Sequence, residues 1–312
     1  IRQIGDMESI LNFRDVGESV IEFSEENVGK IKAGVLFRSG EPDDATVRDT
    51  ENLLKLDIRT IIDLRSGSHE GRKSSIDYPR VDYSTINGDK VFDSDPEDSY
   101  VKAPRRTVNI NFPGKKFQRK ITSSAPFLTR MKIIFYTLTG NRVKAAKTMT
   151  QVLAPRGLVG MYKNILESCD DQIVKILEIM KDKSNFPILV HCKHGKDSTG
   201  VIIVTSHPFK TLAVTLSLCG VDDEIIVQDY ATSQIHLTSV HHSMMKDMER
   251  IGLPECFAKV SPKIMKDLLL YIRSTYGSTQ DYLVKIGFDL ENQKLVRQNL
   301  LENNSRTVSP IT

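Results

Sequence analysis

The residues best suited to chemistry lie in Pro187–Gly200, which reads PILVHCKHGKDSTG. Ile188 to Val190 form a short apolar run that predicts a buried strand, ended by His191 and Cys192. Gly195 and Gly200 bracket a polar loop, and a second apolar run starts at Val201. A strand, a tight loop and a helix start together make a cradle whose backbone N–H groups face an anion. A cysteine at that place has its thiolate stabilised and can serve as a nucleophile. Taken alone, Cys192 also fits a buried core cysteine.

This stretch resembles the loop of the cysteine-dependent tyrosine and dual-specificity phosphatases, which runs His-Cys, five residues, then Arg. It is closer to the branch with His-Cys-x-x-Gly-Lys-Asp-Arg-Thr-Gly, which includes secreted bacterial tyrosine/phosphoinositide phosphatases and eukaryotic relatives. Every fixed position is present except one: Ser198 stands where the family has Arg. Further segments carry the same resemblance. Ile10–Gly17 reads ILNFRDVG, Phe37–Gly40 reads FRSG, Ile58–Arg65 reads IRTIIDLR with Glu70 beyond it, and Val221–Ser233 reads VDDEIIVQDYATS.

The resemblance implies an α/β chain with a protein tyrosine phosphatase-like fold, a central sheet flanked by helices. It also implies roles. Cys192 attacks phosphorus and carries a phosphocysteine. Lys193, His194, Gly195, Lys196, Asp197 and Ser198 complete the phosphate-binding loop, with Lys196 adding charge. Asp197 and Asp63 are the candidate acids. His191 orients the loop or tunes the thiol, and Thr199, Arg14, Arg38 and Arg65 support the site. For Arg14 and Arg38 the plainer reading is pairing with local carboxylates such as Asp15 and Glu41. For Asp63 it is hydrogen bonding to loop N–H groups. The implied substrate is a phosphorylated protein or a phosphoinositide, and thiol-based phosphoryl transfer needs no metal or organic cofactor.

Ser198 changes that picture. It has one hydroxyl, no charge and no planar fork, so it cannot clamp two phosphate oxygens as Arg does. Lys196 supplies only a point charge. Losing the clamp costs on the order of 10³-fold in rate and weakens thiol activation. Three readings stay open: an inactivating replacement in a true phosphatase, a pseudophosphatase that binds a protein partner or serves as a scaffold subunit, or weak activity through Lys196.

The rest of the chain must position this loop. With 312 residues, 39% hydrophobic and 27% charged, the chain can bury a sizeable core. The net charge of +3 suits an anionic substrate, while no basic stripe interleaved with aromatics points to nucleic acid. Cys169, Cys192, Cys219 and Cys256 are scattered without metal-site spacing, so they read as free thiols of a reducing, cytoplasmic compartment. An N-terminal targeting segment lost upstream is compatible with this reading. No apolar run reaches transmembrane length. The adjacent His241 and His242 do not share a helix face, so no metal site is expected there.

Strands are expected at Val35–Phe37, Ile58–Arg65, Val81–Tyr83 and Val108–Phe112. Helices are expected over 46–56, 127–138, 141–151, 158–166, 171–180, 235–248, 262–276 and 278–287. Ile173, Ile176, Leu177 and Met180 give a core-facing stripe. We expect one domain over 1–312, with a variable insert at about 84–107. By resemblance, a helical lid covers about 126–151. Pro208 interrupts the helix behind the loop with an extra segment over about 204–211.

Overall fold

The computed structural model describes residues 7–24, 31–65, 80–82, 106–112, 114–192, 209–236, 238, 241–254 and 261–302. The phosphate-loop residues Lys193, His194, Gly195, Lys196, Asp197, Ser198 and Thr199 lie outside this set. So do Glu70, the insert over 84–105 and the segment over 204–208.

Among the described residues, six strands form one sheet: β1 (Arg14–Asp15), β2 (Leu36–Ser39), β3 (Thr60–Asp63), β4 (Arg80–Asp82), β5 (Arg106–Asn109) and β6 (Ile188–His191). Their order is β1-β2-β6-β3-β5-β4. All neighbours run parallel except β1, which pairs antiparallel with β2. The last strand in sequence therefore lies between β2 and β3, with Ser39 and Asp63 both in register with His191.

Successive strand residues point to opposite faces, and the packing follows that period. Leu36, Ile62, Ile188 and Val190 join the larger core, while Phe37, Ile61 and Leu189 join a smaller one with Ile10, Leu53 and Ile58. A sheet covered on both faces is what near-continuous apolar strands require.

The helices are α1 (Val16–Phe23), α2 (Val47–Lys55), α3 (Gly114–Ser123), α4 (Phe127–Leu138), α5 (Arg142–Leu153), α6 (Gly157–Leu166), α7 (Asp170–Lys181), α8 (Phe209–Leu218), α9 (Asp223–His236), α10 (His241–Ile251), α11 (Pro262–Tyr276), α12 (Thr279–Lys285) and α13 (Leu290–Leu300). The α7 stripe Ile173, Ile176, Leu177 and Met180 is buried as its spacing required. The helix expected over 235–248 is divided: α9 runs on to His236 and α10 starts at His241. In α2, Leu53 is buried, but Val47 and Leu54 face solvent. This helix is set by a capping box, in which Thr46 and Asp49 satisfy each other's backbone N–H groups.

The NFRDVG segment has a structural explanation. The Asp15 carboxylate caps α1 by accepting from Gly17 N and also takes the Gly34 amide from the next segment. Gly17 lies against the Lys32–Ala33 backbone. A Cβ there would sit 2.4 Å from the Lys32 carbonyl oxygen. The motif glycine is thus needed for close approach of two backbones.

Candidate active site

Cys192 directly follows the central strand β6, at the carboxyl end of the parallel strands, where open α/β sheets place their ligands. The flanking strands bring Arg38 and Ser39 on one side and Asp63, Leu64 and Arg65 on the other. The Leu64 amide donates to the His191 carbonyl at 3.0 Å, tying the end of β3 to the start of the cysteine segment.

Two arginine clusters brace this edge. In the first, Arg65 donates from Nε to Asp63 Oδ1 at 2.9 Å and from Nη2 to Asp63 Oδ2 at 2.8 Å, a bidentate pair. Its Nη1 reaches Glu41 at 3.1 Å and Asp43 at 2.5 Å. All four side chains are largely buried. Arg65 thus links the end of β3 to the turn that follows FRSG.

In the second cluster, Arg14 and Arg38 share one carboxylate. Arg14 Nε donates to Asp229 Oδ1 at 2.9 Å, and Arg38 Nη1 donates to Asp229 Oδ2 at 2.5 Å. Arg14 also donates to the Asp229 carbonyl at 2.5 Å, to Ser233 Oγ at 3.0 Å and to Asn12. Arg38 is fully buried and Asp229 nearly so. The local partners expected for these arginines are therefore corrected. Asp15 is occupied as a helix cap and Glu41 with Arg65, and the carboxylate that both guanidiniums share comes from α9. Asp229 is the residue that the sequence reading passed over.

The electrostatics follow from burial and these partners. Burial pushes the Cys192 thiol up, Arg38 and Arg65 pull it down, and Asp63 and Glu41 push it further up; the sum lies well above the usual thiol value. Burial opposes ionisation of Asp63, but His191 and Arg65 outweigh it and hold its pKa at about 2. His191 Nε2 lies 3.9 Å from Asp63 Oδ1. An ionised carboxylate locked in three hydrogen bonds from Arg65 has no proton to donate at neutral pH, against the acid role expected of Asp63. Burial also opposes charge on Asp229, and Arg38 and Arg14 overcome it. Burial lowers Arg38 to about 9, with Arg14 acting the same way and Asp229 against; it stays cationic at neutral pH.

The structure thus brings together His191, Cys192, Arg38, Asp63 and Arg65 at one sheet edge, with Arg14 joined to them through Asp229. Residues 5–302 match the tyrosine phosphatase family. The chain belongs to that family. It is also similar to the triple specificity protein phosphatase PtpB of Mycobacterium tuberculosis (strain ATCC 25618 / H37Rv), at 25% identity over 228 residues. That match covers 71% of this chain and 66% of PtpB, so the chain spans just under two thirds of that relative's length. The NFRDVG, FRSG and IDLR segments thereby acquire physical roles. They carry the arginines and carboxylates that fasten β1, β2 and β3 around the cysteine strand.

Proposed function

We propose that the chain is a cysteine-dependent phosphatase-like protein of the His-Cys-x-x-Gly-Lys-Asp-Arg-Thr-Gly branch, with one domain over 1–312, directed to phosphotyrosine or phosphoinositide and impaired by Ser198. The supporting observation is the placement of Cys192 at the carboxyl end of the central strand, within electrostatic reach of Arg38, Asp63 and Arg65. The similarity to PtpB, a triple specificity protein phosphatase, supports the same class of reaction. The free thiols agree with a cytoplasmic site of action.

In the proposed reaction the Cys192 thiolate forms an S–P bond as the P–O bond to the leaving group breaks. Asp197 gives its proton to the departing oxygen. Water then attacks phosphorus, the S–P bond breaks, phosphate leaves and Asp197 recovers a proton. Asp63 is assigned a positioning role, because it is ionised and engaged by Arg65. The loop amides and Lys196 hold the phosphate. Without Arg at 198 they lack the bidentate clamp, and a buried thiol with a raised pKa is mostly protonated at neutral pH.

These two deficits also support a second reading, a pseudophosphatase that binds a protein partner through the same fold. One paired assay separates them. Turnover of a generic aryl phosphate is expected to be slight for the natural sequence and to rise by about 10²–10³-fold in Ser198→Arg. Cys192→Ser should abolish the gained signal. If Ser198→Arg keeps its fold and gains nothing, the dormant-enzyme reading falls and the noncatalytic one stands.

A further inference from the structure

The helix α4, FLTRMKIIFYTL, buries only Ile133 among its twelve residues. Phe127, Leu128 and Leu138 are 70%, 75% and 82% exposed, and Met131, Ile134 and Phe135 are exposed as well. At about 100° per residue these six side chains fall within an arc of about 120°, a continuous apolar stripe. Lys132 projects beside one edge of the stripe and Arg130 beside the other. An isolated exposed leucine needs no explanation, but six large apolar side chains on one helix face do.

The charge around the stripe says what covers it. From Gly114 to Leu166 the chain has eleven Lys and Arg and no Asp or Glu, although its net charge overall is only +3. Lys115 and Arg119 of α3 line the same groove as Ile134 and Leu138 of α4. Among the described residues, Lys115, Arg119, Lys132 and Lys147 are exposed and have no carboxylate partner. Lys116 and Lys120 are already neutralised, by Asp170 with Asp171 and by Glu167. An apolar stripe bordered by cations, in a segment free of acids, fits an interface that is apolar below and anionic above. Among the described residues no helix is long and apolar enough to cross a membrane, so the stripe would lie in the surface plane.

We propose that α4, with the basic edge of α3, docks on a lipid bilayer carrying anionic headgroups. The apolar stripe enters the headgroup boundary, and Lys115, Arg119 and Lys132 meet the negative surface. The helix lies in the stretch expected as a lid, but the inference uses no residue of the Cys192 site, and vesicle binding is read without turnover.

The test is co-sedimentation of the full chain with vesicles. Phosphatidylcholine vesicles containing phosphatidylserine should pull the protein down, and pure phosphatidylcholine vesicles should not. Phe127→Ser with Phe135→Ser should weaken binding by about tenfold or more, from the lost apolar insertion. Lys115→Gln, Arg119→Gln and Lys132→Gln together should weaken it by roughly a hundredfold, at about fivefold per charge. All five positions are exposed, so the melting temperature should hold in each variant. Equal binding to neutral vesicles, or binding to neither, overturns the proposal. So does a dimer in light scattering that the Phe variants dissolve, because the stripe would then be covered by a second copy.

Discussion

Replacing Asp229 with Ala should destabilise the protein more than any single change at the cysteine. The carboxylate is 4% exposed and sits 2.5 Å from Arg38 and 2.9 Å from Arg14. Removing it leaves a fully buried guanidinium without its counter-charge, next to a second one that now repels it. Breaking a buried pair in this way costs about 3–5 kcal/mol. For 312 residues, an unfolding entropy of about 0.65 kcal/mol/K turns that into a fall of about 5–8 °C in the melting temperature. Calorimetry at neutral pH measures it. Asp229→Asn keeps the shape and loses the charge, so it should fall between. The triple variant Arg14→Met, Arg38→Met, Asp229→Leu removes all three charges and should recover most of the loss, because the penalty comes from an orphaned charge and not from missing attraction. A fall under about 1.5 °C for Asp229→Ala, equivalent to about 1 kcal/mol, would refute the claim that this carboxylate clamps both arginines.

Three further outcomes follow from the same geometry. Asp63 has its pKa depressed from 3.8 to about 2, so its contribution is complete above pH 4 and is lost as pH falls toward 2; it amounts to about 2 kcal/mol. In acid titration Asp63→Asn should show a flatter decline over that window, and an unchanged profile would contradict the Arg65 pairing. Cys192 should react slowly with iodoacetamide at pH 7 and faster as pH rises, and Ser198→Arg should speed the reaction at pH 7; fast alkylation of the natural chain would show the thiol to be activated already. Gly17→Ala should cost about 1–3 kcal/mol, because its Cβ would collide with the Lys32–Ala33 backbone, and an unchanged denaturation midpoint would disprove that approach.

The parts of the fold that sequence revealed are those where burial is written in consecutive or regularly spaced apolar residues. Ile61–Ile62 and Ile188–Val190 could only be covered strands, and α7 and α11 bury the stripes that their spacing announces. The parts it concealed bury little. In α13 the inward positions are Gln293, Val296 and Leu300, so a polar-looking stretch gave no apolar stripe. In α3 the stripe is Phe117 and Ile121 inside a basic run. Asp229 was hidden for a different reason. A carboxylate inside a helix reads as solvated, yet Ile226, Asp229, Tyr230 and Ser233 follow the i, i+3, i+4, i+7 spacing of the buried face. A charge in that phase signals a buried cationic partner, and two arginines in distant signature segments were waiting for one.

Arg14 and Arg38 share Asp229, and Arg65 pairs with Asp63, Glu41 and Asp43. Arg65 faces three carboxylates, whereas Arg14 and Arg38 share one, so the second cluster keeps an excess of positive charge. The carboxylate partners of these arginines thus come from β3, from the turn after FRSG and from α9. The NFRDVG, FRSG and IDLR segments supply buried contacts that the fold itself uses. These segments carry the architecture of the site, and only the thiol's reactivity and the effect of restoring Arg at 198 speak to its turnover.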